Sequence, residues 1–201
     1  TPDSFSDGGR FQSPETALAQ ARAAEAGGAD LIDIGGESTR PGAAEVPLDA
    51  EIARTAPVIA AIRAGSAITI SIDTRKAVVA EAALGAGAGL VNDVAAMLFD
   101  PAMAPLVAAQ NLPVCLMHHL GTPATMQDNP RYDDVVLDVY DWLAARIAAA
   151  EAAGIPRDRN IVDPGIGFGK TLQHNVSLLR RLALYHGLGC PVLVGASPEV
   201  D

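Results

Sequence analysis

The sequence predicts an α/β fold, a (β/α)8 TIM barrel that is incomplete over these 201 residues, and three observations carry that expectation. Short apolar runs alternate with alanine-rich helical patterns along the whole chain. The runs are apolar at nearly every position, as strands of a parallel sheet buried on both faces are. Nearly every run also closes on a polar side chain, which a barrel rim explains better than a doubly wound sheet does.

Taken in order, Thr1 to Gly9 is a polar loop rich in turn formers, and a chain that starts in mid-loop is expected to lack a strand before it. Ser13 N-caps a helix with Pro14 in its first turn, and an alanine-rich period carries it to a stop at Gly27 and Gly28. Residues 30–34 read as a buried strand that opens into a second polar loop, 35–42. Residues 48–64 are helical, 67–73 a strand, and 74–84 a helix that ends among Gly85, Gly87 and Gly89. Further strands are predicted over 90–94, 112–118, 160–163 and 191–194, six in all, with helices over 101–110, 133–153 and 175–184. Trp142, Leu143 and Ile147 take core positions by their helical spacing. A barrel needs about eight strands. The first strand and the last one or two elements are therefore expected outside the sequence, with a further gap between Ser197 and Pro198. Nothing inside the chain reads as a linker, so residues 1–201 are taken as one domain.

A hydrophobic content of 49% with mean hydropathy +0.22 supplies ample core. The net charge of -10, with fourteen scattered Lys and Arg, argues against nucleic acid as the main partner, while single basic residues remain able to hold a small anion. No apolar run approaches the roughly 18 residues that span a membrane, and nothing at Thr1 reads as a leader, so a soluble cytoplasmic protein is expected. Cys115 and Cys190 sit inside apolar runs and are expected to pack as free thiols.

The chemistry concentrates at the ends of three strands. Ile161 and Val162 lead to Asp163, after which Pro164 and the glycines 165, 167 and 169 stop the strand and are expected to leave backbone N–H groups open to a ligand. Upstream, Ile72 leads to Asp73 and Val91 to Asn92. Short polar side chains on rigid strand ends suit a flat, donor-rich ligand, and a carboxylate takes two parallel N–H bonds from a heterocycle carrying an amino group beside a ring N–H. Each acid also has a local reading, Asp73 as an N-cap for a helix starting at Thr74 and Asp163 as the start of a Pro-Gly turn. Three polar ends at one rim favour binding. His118 and His119, at another strand end, are too few for a metal site.

In these motifs the sequence resembles the dihydropteroate synthase family over nearly its whole length. Thr1-Pro2-Asp3-Ser4-Phe5-Ser6-Asp7-Gly8-Gly9 is similar to that family's first loop and Gly35-Gly36-Glu37-Ser38-Thr39-Arg40-Pro41-Gly42 to its second. Ser71-Ile72-Asp73-Thr74, Val91-Asn92-Asp93, Met117-His118 with Gly121-Thr122-Pro123, Asp163 to Lys170, and Gly195-Ala196-Ser197 continue the pattern in order. The resemblance implies that Asp73, Asn92 and Asp163 hold a pterin, with Met117, Gly167 and Phe168 beside it. It implies that Thr39 and Arg40 contact the diphosphate of the substrate, and that Phe5, Pro41 and Ser197 frame a p-aminobenzoate site. His118 would then be a rim residue near the diphosphate. Asp73 and Arg40 would carry the catalytic roles, with Mg2+ as cofactor, a homodimer as the assembly and no protein metal ligands assigned. The family's Asn before Thr1, its Arg-Lys pair after Ser197 and its later Arg-x-His are not in this sequence. The two loops have few apolar side chains and are expected to order only when substrate binds.

Rival readings remain. Gly169-Lys170-Thr171 resembles the end of a nucleotide-binding P-loop, but Pro164 stands where that pattern needs glycine. A methyltetrahydrofolate-binding methyltransferase domain, or a pterin-binding module without catalysis, would share the strand-end pattern.

Overall fold

The computed structural model describes residues 14–38, 45–121 and 129–195. Five strands lie side by side in chain order, all parallel: β1 (Leu31–Gly35), β2 (Thr69–Asp73), β3 (Leu90–Asp93), β4 (Val114–Met117) and β5 (Asn160–Asp163). Helices make the crossovers. They are α2 (Leu48–Arg63), α3 (Ala77–Ala86), α4 (Met103–Gln110) and α5 (Val135–Ala152), while α1 (Pro14–Ala26) precedes β1 and α6 (Leu172–Arg180) follows β5. Strand order that never reverses is what a barrel wall requires, whereas a doubly wound sheet turns back at a switch point.

The register decides which side chains share a face. Asp33 pairs with Ser71, Asp73 with Asn92, Asn92 with Cys115, and Met117 with Asp163. Because side chains alternate along a strand, Asp33, Ser71, Asp73, Asn92, Cys115, Met117 and Asp163 fall on one face. Ile70, Ile72, Val91, Val114, Leu116 and Val162 fall on the other and are fully buried. They pack with Ile59 and Ile62 of α2, Val79 of α3, Val107 of α4 and Leu143 and Ile147 of α5 in one apolar cluster. The polar face is thus left to the inside of the wall. Both cysteines are buried free thiols, as their apolar surroundings predict. Trp142 is half-buried at the margin of the cluster.

Several boundaries differ from the expectation. The sixth strand is reduced to one bridge, Val162 to Val192, with Val162 N–H donating to Pro191 O at 2.9 Å and Leu193 N–H to Val162 O at 2.9 Å. The first strand is not fully buried, for Leu31 is 36% exposed. Helix α3 begins at Ala77 instead of Thr74, because the Thr74 hydroxyl is used elsewhere: it donates to Glu51 Oε1 at 2.7 Å and accepts from Lys76 N–H at 3.2 Å. Asp100, from the loop after β3, accepts the Ala77 N–H at 2.8 Å and supplies the cap. Near the end of the described chain, the single helix expected over 175–184 is α6, opened by a reciprocal Thr171–His174 capping box and followed by a 3-10 turn over Leu182–Leu188. The predicted cap Ser13 lies outside the described residues.

Candidate active site

Asp163 ends β5 because Pro164 cannot donate to the next rung of the ladder. Its Oδ1 accepts the Gly165 N–H at 2.7 Å and its carbonyl accepts the His118 N–H at 2.8 Å. The turn-forming and the rim-forming readings of Asp163 are therefore both realised: one oxygen closes the turn. Burial raises its pKa to about 6, against the opposing pull of the Gly165 N–H and the Lys170 charge.

Asp73 and Asn92 stand in register on neighbouring strands. Asp73 does not cap a helix. Its Oδ1 is shut away from solvent and has no hydrogen-bond partner among the described residues. Burial, and then the neighbouring carboxylates Asp33 and Asp93, push its pKa well up. A buried acceptor without a partner is costly unless a ligand supplies the donor. Asn92 donates to Asp33 Oδ2 at 3.1 Å, and Asp33 Oδ1 accepts from the Ser71 hydroxyl. Asp93, one residue on, points the other way and accepts the N–H groups of Ala95 and Met97 at 2.9 and 2.8 Å, which holds the loop after β3.

The loop after β5 is folded by its glycines. A Cβ on Gly165 (φ +67°) would lie 1.9 Å from the carbonyl oxygen of His118, so the two strand ends touch only because that side chain is absent. Gly167 N–H donates to Asn175 Oδ1 at 3.0 Å and Phe168 N–H to Gly165 O at 3.1 Å. With the Gly165 N–H on Asp163, these donors are used internally. For Gly165 and Gly167 the expectation that these groups stay open to a ligand is corrected.

Lys170 is 4% exposed and His118 3%. Lys170 Nζ lies 2.8 Å from His118 Nδ1 and donates to Phe168 O at 2.9 Å. Burial lowers Lys170 to about 7, with Asp163 opposing, and burial together with the Lys170 charge takes His118 to about 2. His118 is thus a buried acceptor rather than an open rim residue. Its ring meets Trp142 edge-on at 4.9 Å.

A second charged cluster joins the ends of β1 and β2. Lys76 Nζ donates to Glu37 Oε2 at 2.7 Å, Val46 O at 2.6 Å and Glu51 Oε2 at 2.8 Å. Glu37 also accepts from Val46 N–H and Arg75 Nε at 2.7 and 3.0 Å. Burial works to raise Glu37, but these donors outweigh it and its pKa ends low.

The structure brings together Asp73, Asn92, Met117 and Asp163 on one face, with Gly167 and Phe168 in the adjoining loop. Thr39, Arg40, Pro41, Phe5 and Ser197, with all of the first loop, the second half of the second and Thr122-Pro123, lie outside the described residues. Sequence reasoning missed Asp33 and Lys170. A carboxylate inside the apolar run 31–34 was the available signal for Asp33, and a lysine closing the glycine motif the one for Lys170. Among the described residues no three His, Cys, Asp or Glu side chains converge as a metal cage.

A parallel α/β wall whose inner face ends in Asp73, Asn92 and Asp163, with a buried lysine in the loop after β5, has the strand-end polar rim of a TIM-barrel enzyme. The match to the family of pterin binding enzymes covers residues 1–199. The chain is 47% identical over 197 residues to the dihydropteroate synthase of Escherichia coli K12, covering 98% of this chain and 70% of that protein. It is 53% identical over 197 residues to a probable bifunctional folylpolyglutamate synthase/dihydropteroate synthase of Haloferax volcanii, 98% of this chain but 23% of that longer protein. The Yersinia pestis dihydropteroate synthase, solved in complex with a sulfonamide drug, superposes with a TM-score of 0.95 at 45% identity over 98% of this chain and 71% of that one. This chain belongs to the dihydropteroate synthase family of pterin binding enzymes, which are transferases of TIM-barrel fold.

Proposed function

We propose that this chain carries the condensation of 6-(hydroxymethyl)-7,8-dihydropterin diphosphate with p-aminobenzoate, giving 7,8-dihydropteroate and diphosphate. The observation that carries the reading is the buried, unpartnered Asp73 Oδ1 on the same inner face as Asn92 and Asp163. Two acceptor side chains and an amide, fixed by a sheet, match the amino and ring N–H donors of a pterin. Asp163 would hold one edge of the ring. Asp73 and Asn92 would hold another, with Met117, Gly167 and Phe168 against the heterocycle.

In the reaction the aniline nitrogen attacks the exocyclic methylene carbon, the C–O bond breaks, and diphosphate leaves with the electron pair. The nitrogen then loses one proton. Positive charge develops on the pterin as the bond breaks, and a carboxylate beside the ring stabilises it. Asp73 resists ionising in the empty site. Pterin N–H donors favour its charged form, so the ligand itself readies the catalytic carboxylate. Thr39 and Arg40 for the diphosphate, and Phe5, Pro41 and Ser197 for the aniline pocket, rest on the family resemblance alone. Mg2+ is proposed to arrive with the diphosphate, whose oxygens are ligands of the hard kind that ion prefers. A single domain, a cytoplasmic location and a homodimer are proposed on the same resemblance. No described helix is long and apolar enough to cross a membrane.

The test is to incubate the purified protein with both substrates and Mg2+ and to follow dihydropteroate by mass spectrometry. Product formation, with p-aminobenzoate binding only after the pterin diphosphate, supports the reading. Pterin binding without product would sink it in favour of a binding module, and methyl transfer from methyltetrahydrofolate would point to the methyltransferase domain.

A further inference from the structure

Resting on the synthase reading above, we propose that His118 is a positioning residue for this reaction. Its buried ring nitrogen holds the Lys170 ammonium in register with Asp163 and leaves one Lys170 N–H for the bound ring. The backbone and the side chain of His118 act on the two groups together. Its N–H donates to Asp163 O at 2.8 Å, which ties the ends of β4 and β5. Its Nδ1 lies 2.8 Å from Lys170 Nζ. One residue thus sets both the carboxylate and the ammonium.

A lysine stem has many rotamers and its head normally stays in water. Here the head is buried, and of its three N–H groups one goes to His118, one to Phe168 O, and none of the described residues takes the third. The chain reaches this place because Gly169, at φ +66°, lies so close to Leu120 that an added Cβ would stand 2.6 Å from the Leu120 Cβ. The acceptor is equally constrained. The His118 ring meets Trp142 edge-on at 4.9 Å and faces Tyr132 at 6.0 Å, and Tyr132 is fixed by donating to Gly169 O at 2.8 Å. An ammonium only donates, so His118 Nδ1 is the acceptor and the ring proton belongs on Nε2.

Burial disfavours charge on both groups, yet His118 is driven to about 2 and Lys170 only to about 7, so below about pH 7 it is the lysine that carries the charge. The other charged or titratable groups facing the pair are Asp163, which raises Lys170, His119, which disfavours charge on His118, and the Tyr132 hydroxyl. None of them takes the place of Nδ1 as an acceptor for this ammonium.

The test compares His118→Leu with His118→Asn, whose Oδ1 falls near the position of Nδ1. Without its acceptor the charged lysine is less favoured, so its titration moves to lower pH. Expected for His118→Leu is a loss of about 10- to 100-fold in kcat/KM for the pterin diphosphate at pH 7, an alkaline limb displaced to lower pH, and an unchanged KM for p-aminobenzoate. His118→Asn should recover most of that loss and return the limb. A folded His118→Leu protein with the wild-type limb and kcat/KM overturns the proposal. Should that variant fail to fold, the imidazole 15N spectrum of the wild type decides: an unprotonated Nδ1 at pH 6, where Lys170 is charged, supports the proposal, and a protonated one overturns it. A wild type that binds a pterin but forms no product sinks the synthase reading instead. The positioning role then stands if His118→Leu weakens pterin Kd about tenfold or more, and falls if Kd is unchanged.

Discussion

Asp163 shows how one side chain serves the fold and the site at once. Replacing Asp163 with Ala removes the acceptor of the Gly165 N–H as well as the proposed acceptor for the pterin. Pterin affinity should fall by roughly 2 to 5 kcal/mol, and calorimetry that finds Kd within a few-fold of wild type would leave Asp163 with the turn alone. The acid side of binding has a sign that follows from its pKa of about 6. Below that pH the carboxyl is protonated and loses acceptor strength, so affinity should weaken by up to about tenfold per pH unit below 6 and flatten above it. Asp73 adds a second signature. Its pKa is raised by burial and by Asp33 and Asp93, and donors on the ligand bring it down, so pterin binding should release protons. Titrations in two buffers of different ionisation enthalpy measure that release, and proton uptake or none would contradict the role given to Asp73. At this scale the strand-end positions of Asp73, Asn92 and Asp163 on one face were legible because a polar residue that ends an apolar run has few other places to go. Asp33 was not, since it lies within its run and only the pairing to Ser71 and Asn92 shows which face it takes. Lys170 was hidden in a motif that reads as phosphate binding until its ammonium is seen against His118.

Between elements, the contact of the β5 loop with the end of β4 is the tightest constraint on the site. Gly165→Ala meets both a positive φ and a backbone oxygen at 1.9 Å from the new Cβ. A carbonyl cannot rotate away as a side chain can, so the loop must shift, and a loss of about 3 kcal/mol or more is expected. A denaturation midpoint close to wild type would show that the two ends are not pressed together. The lysine clamp between β1, β2 and α2 is the other constraint. Lys76→Met leaves Glu37 and Glu51 buried without their shared cation, a change expected to cost about 3 to 5 kcal/mol. The pH sign is that of a depressed carboxylate. Glu37 contributes stability above its ordinary value of 4.5, and that contribution is lost as pH falls through its lower folded value. The Met variant should therefore lose most of the acid-dependent part of the stability difference, and equal urea midpoints for the two proteins at pH 7 would refute the clamp. Strand positions were largely legible because continuous apolar runs have one reading in an alternating chain. The starts of α1 at Pro14 and α2 at Leu48 were legible too, but that of α3 was not, because its cap comes from Asp100 across the fold and the hydroxyl of Thr74, the expected first residue, is taken by Glu51.

Among the described residues burial is graded along the sheet. All four residues of β4 are buried, and β2 and β3 are nearly so, while the outward and inward residues of β1 alternate between exposed and half-buried. At the other side, among the described residues, β5 receives only the single bridge of Val192. Legibility had a limit here too, since a run such as 31–34 has the same apolar signature whether its neighbours cover it or not. Local opening follows the number of paired neighbours and the apolar surface that opening must expose. Amides of β3 and β4, flanked on both sides by strands and covered by Val79, Val107, Leu143 and Ile147, should exchange only through global unfolding. Amides of β1 should exchange faster than those of β3 by at least about two orders of magnitude, which at about 1.4 kcal/mol per tenfold change is roughly 3 kcal/mol of opening free energy. A pterin bound to Asp73, Asn92 and Asp163 bridges β2, β3 and β5 and so should slow exchange in β5 more than in β1. Native-state hydrogen exchange followed by mass spectrometry reads all three strands in one experiment. Uniform protection from β1 to β5 in the free protein would show that the gradient of burial is not a gradient of stability, and equal slowing of β1 and β5 on adding the pterin would place the ligand elsewhere than on the inner face.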